Sequence, residues 1–230
     1  DHSEPRQDEA YPVGTTEDVT TEEVGGGNYG PLKALCEQTV ETIFPGRSLH
    51  VRAGLIIGPY DPTDRFTYWP VRIQQGGEFV APEGPDICFQ FIDARDIAQW
   101  VLRMGETRKG GVYNVTGDPI RFGTVVATSK EVTGSDATPV YMDTAFLEAQ
   151  DVQPWQELTM WIPATNAPYA YMNDTNIDKA KADGLTIRPL AETIRDLLVW
   201  NSTRDLSQPK AFGLASDKEQ NVLEAWRSRQ

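Results

Sequence analysis

The chain reads as an α/β protein with a largely parallel sheet. Two observations predict it. Strand-like and helix-like segments alternate between residues 29 and 133, and no internal repeat organises the chain. The long mixed tail after residue 117 predicts a smaller appended lobe. Three regions follow: an acidic loop over 1–28, a sheet-bearing part over 29–117, and a mixed part over 118–230.

The elements follow in order. Asn28 is placed to cap a helix from about Tyr29 to Phe44, with Pro31 in the first turn, where its missing N–H costs nothing. Leu32, Leu35, Cys36, Val40 and Ile43 recur at helical spacing and predict its buried face. Pro45-Gly46 ends it. Ser48–Ile57 reads as one buried strand stopped by Gly58-Pro59, and Arg65–Gln75 as a short aromatic helix or ordered loop. Strands are expected at Glu78–Ala81 and Ile87–Ile92. A helix from Asp93 to Glu106 should turn Ile97, Ala98, Val101 and Leu102 inward. Gly111–Val115 is a strand and Phe122–Thr133 a helix, while 145–172 has no clean period and predicts a packed irregular segment. Helices follow at Asp174–Ala182 and Leu190–Trp200. Ser216-Asp-Lys-Glu219 has the pattern of a capping box opening a last helix to about Arg229.

With 230 residues the chain can bury a core of its own. A net charge of −13 makes nucleic acid a poor partner, because phosphate binding needs a basic surface. The first 25 residues hold eight acids against Arg6 alone, which predicts a solvated, partly mobile loop. No apolar run approaches bilayer length, so no membrane span is expected. Cys36 and Cys88 are expected to be reduced, one or both buried as small hydrophobes, and the protein to be cytoplasmic. His2 and His50 lack carboxylate or thiol companions at ligand spacing, so no metal site is expected, and His50 reads as a structural histidine within a strand.

The chemistry centres on Tyr29 and Lys33. Four residues apart on a helix, they project from one face. A cation beside a phenol favours the phenolate, so such a tyrosine can move a proton at a carbinol or carbonyl oxygen while hydride moves elsewhere.

Tyr29-Gly-Pro-Leu-Lys33-Ala-Leu-Cys-Glu37 resembles the active-site helix of extended short-chain dehydrogenases/reductases, the NAD-dependent epimerase/dehydratase family. Arg52-Ala-Gly-Leu-Ile-Ile-Gly58-Pro59 resembles the strand that follows it there. Gln90-Phe-Ile-Asp93-Ala-Arg-Asp96-Ile-Ala resembles a later strand-to-helix turn, and Gly111-Val-Tyr-Asn114-Val-Thr-Gly117 the next strand. The resemblance covers about residues 26–200. It implies part of a doubly wound Rossmann-like sheet with a smaller C-terminal α/β substrate lobe.

The resemblance also implies an NAD(P)-dependent oxidoreductase, epimerase or dehydratase for a small carbonyl, polyol or sugar-like substrate. Tyr29 would be the acid/base, and Lys33 would hold the nicotinamide ribose and tune Tyr29. Tyr29, Lys33 and the backbone of Ala53, Gly54 and Leu55 would contact NAD or NADP. The family's glycine fingerprint for the pyrophosphate has no match; Gly25-Gly26-Gly27 follows a polar stretch rather than a strand. The chain therefore looks like the C-terminal part of such an enzyme, and the missing N-terminal half of the same protein is an expected partner. A homodimer through the Tyr29–Lys33 helix is a second. Residues that nucleotide-sugar epimerases use for the substrate phosphate are replaced by Gly54 and Phe89. Arg65, Phe66, Tyr68, Trp69 and Gln90 remain as candidate substrate contacts, with a lid packed on the core as the other reading of 65–69. Asp93 and Asp96 are expected to serve the backbone at a helix start. The competing reading is a non-catalytic binding or assembly module that keeps the fold.

Overall fold

The computed structural model describes residues 2–25, 27–205 and 212–229. Helix α1 spans Tyr29–Ile43 and leads into strands β1 (Leu49–Ala53) and β2 (Leu55–Ile57). Then come α2 (Tyr68–Gln74), β3 (Glu78–Pro82), β4 (Cys88–Phe89), β5 (Phe91–Asp93), α3 (Ala94–Glu106) and β6 (Gly111–Val115). The remainder holds β7 (Ile120–Arg121), α4 (Phe122–Thr133), β8 (Thr138–Met142), α5 (Thr144–Ala149), β9 (Pro154–Trp155) and β10 (Leu158–Thr159). Helices α6 (Asp178–Ala182), α7 (Leu190–Ser202) and α8 (Ser216–Arg227) complete it, with a 3-10 turn at Ala167–Tyr169.

The class is the expected one: α/β, with β1 parallel to β6, β2 to β5 and β3 to β8. Two expected strands are broken. Ser48–Ile57 divides at Gly54, so its first half pairs with β6 and its second with β5. Ile87–Ile92 divides at Gln90, whose side chain replaces a ladder: Nε2 donates to the carbonyls of Gly117 (3.0 Å) and Thr175 (2.9 Å), and Oε1 accepts from the Thr175 N–H (2.8 Å). Strand β8 was not anticipated, because its proline and its half-buried face blur the alternation.

Two apolar cores result. The larger gathers Phe66, Trp69, Ile73, Phe79 and Phe89 with Phe122, Val125, Ile194, Leu197 and Leu223, so residues before and after 117 share it. Trp69 is its hub, with its ring centroid 4.6 Å from that of Phe122 and its indole N–H donating to the Thr159 carbonyl at 3.0 Å. The smaller packs Ile92, Trp100, Met104, Tyr113 and Val115 with Ala180 and Leu185.

Helix faces depart from expectation where tertiary partners decide them. In α3 the inward row is Asp96, Trp100 and Met104, four residues apart, while Ala98, Val101 and Leu102 are exposed. In α1 only Ala34 is buried; Leu32 and Leu35 are half-buried, and Cys36, Val40 and Ile43 face outward. No described element covers that side. Cys36 and Cys88 are free and both exposed, against the expected burial.

Two expected caps fail for one reason: the side chain is committed elsewhere. Asn28 braces the preceding loop, accepting from the Gly25 N–H and donating to the Glu23 carbonyl (both 2.9 Å), and makes no cap bond. Glu219 is buried and receives Arg72 Nε at 2.6 Å and the Val80 N–H at 3.2 Å, which ties α8 to α2 and β3 instead of closing a capping box. The expected helix at Asp174–Ala182 starts only at Asp178.

The acidic lead is irregular and mostly exposed, yet anchored. His2 exchanges main-chain bonds with Pro168 and Tyr171, the Gln7 carbonyl accepts from the Asn176 N–H, and the Glu9 carboxylate accepts from the Asn114 N–H at 2.8 Å. These contacts cover the outer edge of β6. The outer edge of β1 is different. The Gly54 N–H donates to Val115 and the Ser48 carbonyl accepts from Gly111, so even-numbered residues of β1 face β6 and Leu49, Val51 and Ala53 point their main-chain groups away. Those groups meet no partner among the described residues.

Candidate active site

Tyr29, Lys33, Glu37 and Glu41 form one row down α1, each four residues from the last. The lower half of the row is bonded to β1. Glu41 accepts from the Ser48 hydroxyl and from the Gly46 N–H (2.6 Å), and lies 3.4 Å from His50 Nε2. Glu37 takes Arg52 Nε at 2.9 Å and Nη2 at 2.7 Å, while Arg52 Nη1 reaches the Glu9 carbonyl at 3.3 Å. His50, bonded also to Ser48 at 2.9 Å, has the structural part expected of it.

Helix and strand run in opposite directions with matched strides. Four helical residues rise about 6 Å and two strand residues about 6.6 Å. Glu41 lies opposite residues 48–50 and Glu37 opposite 52, which leaves Lys33 and Tyr29 on the turns of α1 beyond the last bonded pair. The Arg52 guanidinium holds the Glu37 carboxyl below its ordinary range, with Lys33 adding to the effect after burial is overcome. Tyr29 is 65% exposed and Lys33 is exposed, so the upper half of the row is open to solvent.

The main chain beside that row is open too. Ala53 and Gly54 are exposed and Leu55 is half-buried. At Gly54 a Cβ would meet Thr116 Oγ1 at 2.5 Å and its Cβ at 2.6 Å, so only glycine lets the strand cross here to its second partner. Thr116 Oγ1 is buried without a partner among the described residues. An exposed phenol, an ammonium one turn away and a bare stretch of strand backbone have the donor set that a nicotinamide riboside needs. Among the described residues no glycine-rich turn between a strand and a helix offers a pyrophosphate cradle.

The other expected contacts lie elsewhere. Phe66 and Trp69 are wholly buried in the larger core, and Tyr68 is 6% exposed with its hydroxyl pKa pushed up by burial. Segment 65–69 is thus packed into the core, and Gln90 is the buried clamp between β4 and β5. Arg65 alone of this group keeps partial exposure. Its guanidinium lies 5.4 Å from the Trp155 ring centroid and 5.7 Å from that of Phe212, and Nε donates to Thr63 Oγ1 at 3.1 Å.

Asp93 caps α3 through the Arg95 N–H at 2.9 Å, as expected, and also receives the Arg95 side chain and the Thr193 hydroxyl (2.8 Å). Asp96 serves a different chain segment, accepting from Arg188 N–H (3.0 Å) and Nε (2.8 Å). Glu37, Arg52 and Thr116 were not singled out from sequence. The signal for Glu37 was its place as the third residue of the Tyr29–Lys33 row.

No protein-family model matches the chain, and no curated protein matches it. Solved structures do. The UDP-glucuronic acid 4-epimerase from Bacillus cereus in complex with NAD aligns with TM-score 0.52 and 14% identity, over 82% of this chain and 60% of that one. The UDP-N-acetylglucosamine 4-epimerase from Methanobrevibacter ruminantium M1, in complex with UDP-N-acetylmuramic acid, aligns with TM-score 0.51 and 16% identity, over 83% and 59%. The UDP-glucose 4-epimerase from Thermotoga maritima, with UDP-glucose, aligns with TM-score 0.50 and 16% identity, over 75% and 51%. The chain thus spans between about half and three-fifths of the length of these proteins. At this identity the likeness is one of fold, and the fold is the Rossmann-like α/β architecture of these epimerases.

Proposed function

We propose that this chain is the catalytic and substrate-binding portion of an NAD(P)-dependent oxidoreductase, epimerase or dehydratase acting on a small carbonyl, polyol or sugar-like compound. The observation that carries the reading is the exposed Tyr29–Lys33 pair at the open end of a row whose other end is bonded to β1. When bound, the nicotinamide supplies or accepts hydride. Tyr29 passes a proton between its hydroxyl and the substrate oxygen, and the Lys33 ammonium stabilises negative charge on that phenolic oxygen. Lys33 also binds the ribose hydroxyls, and the main chain of Ala53–Leu55 orients the carboxamide. Arg65, flanked by Trp155 and Phe212, binds an anionic group of the substrate.

The dinucleotide's phosphates are held by an N-terminal half that joins at the outer edge of β1. Support comes from the main-chain groups of Leu49 and Val51, which are unpaired among the described residues, and from the chain's partial coverage of its structural neighbours. The exposed Val40 and Ile43 of α1 supply the apolar surface for that half or for a second copy.

The test uses the full-length protein and follows NAD(P)H fluorescence during turnover. Tyr29→Phe should lower kcat by about 10²–10⁴-fold; unchanged turnover removes the acid/base role. A full-length protein that binds no NAD(P)H supports the second reading, a binding or assembly module.

A further inference from the structure

Arg65 sits in the loop from β2 to α2, residues 58–67. On its C-terminal side the core fixes the chain: Phe66 and Trp69 are wholly buried, and the Asp64 carbonyl accepts from the Tyr68 N–H at 2.9 Å. The N-terminal side is polar and carries two left-handed residues, Tyr60 at φ +70 and Asp64 at φ +57. Backbone of that kind persists where the surroundings determine it.

Here the determining group comes from the end of α7. Arg204, just beyond that helix, donates Nη1 and Nη2 to the two carboxylate oxygens of Asp64 at 2.5 and 2.9 Å. The Asp64 carboxylate is 5% exposed, so this is a nearly buried two-pronged bond between residues far apart in the chain. The Arg204 guanidinium also lies 4.5 Å from the Trp200 ring centroid, and Tyr60 meets that ring at 5.7 Å. The first half of α7 is itself tied to β5 and α3, by the Thr193 hydroxyl on Asp93 (2.8 Å) and by Arg95 on Asp196 (2.5 Å).

From Asp64 the order passes to Arg65. Asp61 accepts from the Thr63 N–H and hydroxyl at 2.8 and 2.6 Å, and Thr63 Oγ1 accepts from Arg65 Nε at 3.1 Å. Trp155 and Phe212 flank the guanidinium. Nη1 and Nη2 of Arg65 meet no partner among the described residues, so its fork is free for an anion.

We propose that Arg204, acting through Asp64, is a positioning residue that presets the Arg65 fork for the anionic group of the substrate. A long flexible side chain ordered in advance loses less freedom on binding. The proposal rests on the reading of Arg65 as the contact for that group.

The probe is inorganic phosphate, titrated into ¹⁵N-labelled full-length protein. The reporter is the indole N–H resonance of Trp155, assigned by its loss in Trp155→Phe. A saturable shift is expected, and Arg65→Met should abolish it. Arg204→Gln alone would strand a buried carboxylate, so the deciding variant is Asp64→Asn with Arg204→Gln, which removes both charges together. It should keep the fold and weaken phosphate binding about three- to tenfold. Arg204→Lys, which keeps the charge without the fork, should weaken it similarly, and it decides alone if the double variant unfolds. Wild-type affinity in the double variant or in Arg204→Lys overturns the positioning role and leaves that of Arg65 standing. A Trp155 resonance that phosphate does not shift, or shifts equally in Arg65→Met, overturns the reading of Arg65 and the proposal with it.

Discussion

Arg52 on β1 grips Glu37 on α1 through two nitrogens, at 2.9 and 2.7 Å, and reaches past it to the Glu9 carbonyl. One guanidinium thus joins helix, strand and acidic lead, through a glutamate one turn along α1 from Lys33. Each member of the pair is about a quarter exposed, so the bond is worth little as an isolated ion pair. Its larger effect is positional. Glu37→Gln should cost only about 1 kcal/mol in a denaturant melt while loosening the acidic lead, seen as faster amide exchange at Asn114. Unchanged exchange there would show that the lead is held by its other contacts.

Gly54 and Thr116 make a steric prediction. Gly54→Ala puts a Cβ 2.5–2.6 Å from both Thr116 Oγ1 and Thr116 Cβ, and should cost about 1–3 kcal/mol. Because the Thr116 Cβ is itself one of the clashing atoms, Thr116→Ala should not restore stability, whereas Thr116→Gly should recover part of it. A double-mutant cycle in urea reads the difference.

Trp69 separates a core role from a substrate role. Trp69→Ala should destabilise the protein by about 3–5 kcal/mol, since it removes a wholly buried ring from the centre of the larger core. Arg65→Met should leave the melting midpoint nearly unchanged and act on substrate KM alone. A Trp69→Ala protein with wild-type stability would contradict the packing described above.

Acid sensitivity follows from Asp93. Burial pushes its carboxyl up, but the Arg95 side chain and N–H, the Thr193 hydroxyl and the Arg188 charge outweigh burial and hold it below its ordinary value. A lowered folded-state pKa contributes stability that is present above the ordinary carboxylate range and is lost as pH falls through the folded value. Glu37 acts in the same direction. Stability should therefore decline below about pH 4, and less steeply in Asp93→Asn, which should itself cost about 3 kcal/mol at neutral pH by leaving Arg95 and Arg188 short of a partner. Chemical melts at stepped pH would show an unchanged slope if Asp93 has no such part.

The sequence alone determined the class, the order of most elements and the Tyr29–Lys33 pair, because each is written in local spacing: a period of nearly four, an apolar run, a glycine-proline stop. What it left open depended on partners distant in the chain. Val40 and Leu102 match the inward period of their helices and still face out, since burial is decided by what packs against a helix, and Trp100 and Met104 claimed the covered side of α3. Glu219 had a capping pattern, but Arg72 and Val80, far away in the chain, offered it bonds that no window of local sequence shows. The breaks at Gly54 and Gln90 likewise arise from Thr116 and Thr175, residues that only the folded chain brings alongside. The same holds on α3, where Gly184 meets Arg103 from across the chain. Local spacing sets which residues share a face; only tertiary packing sets what that face meets.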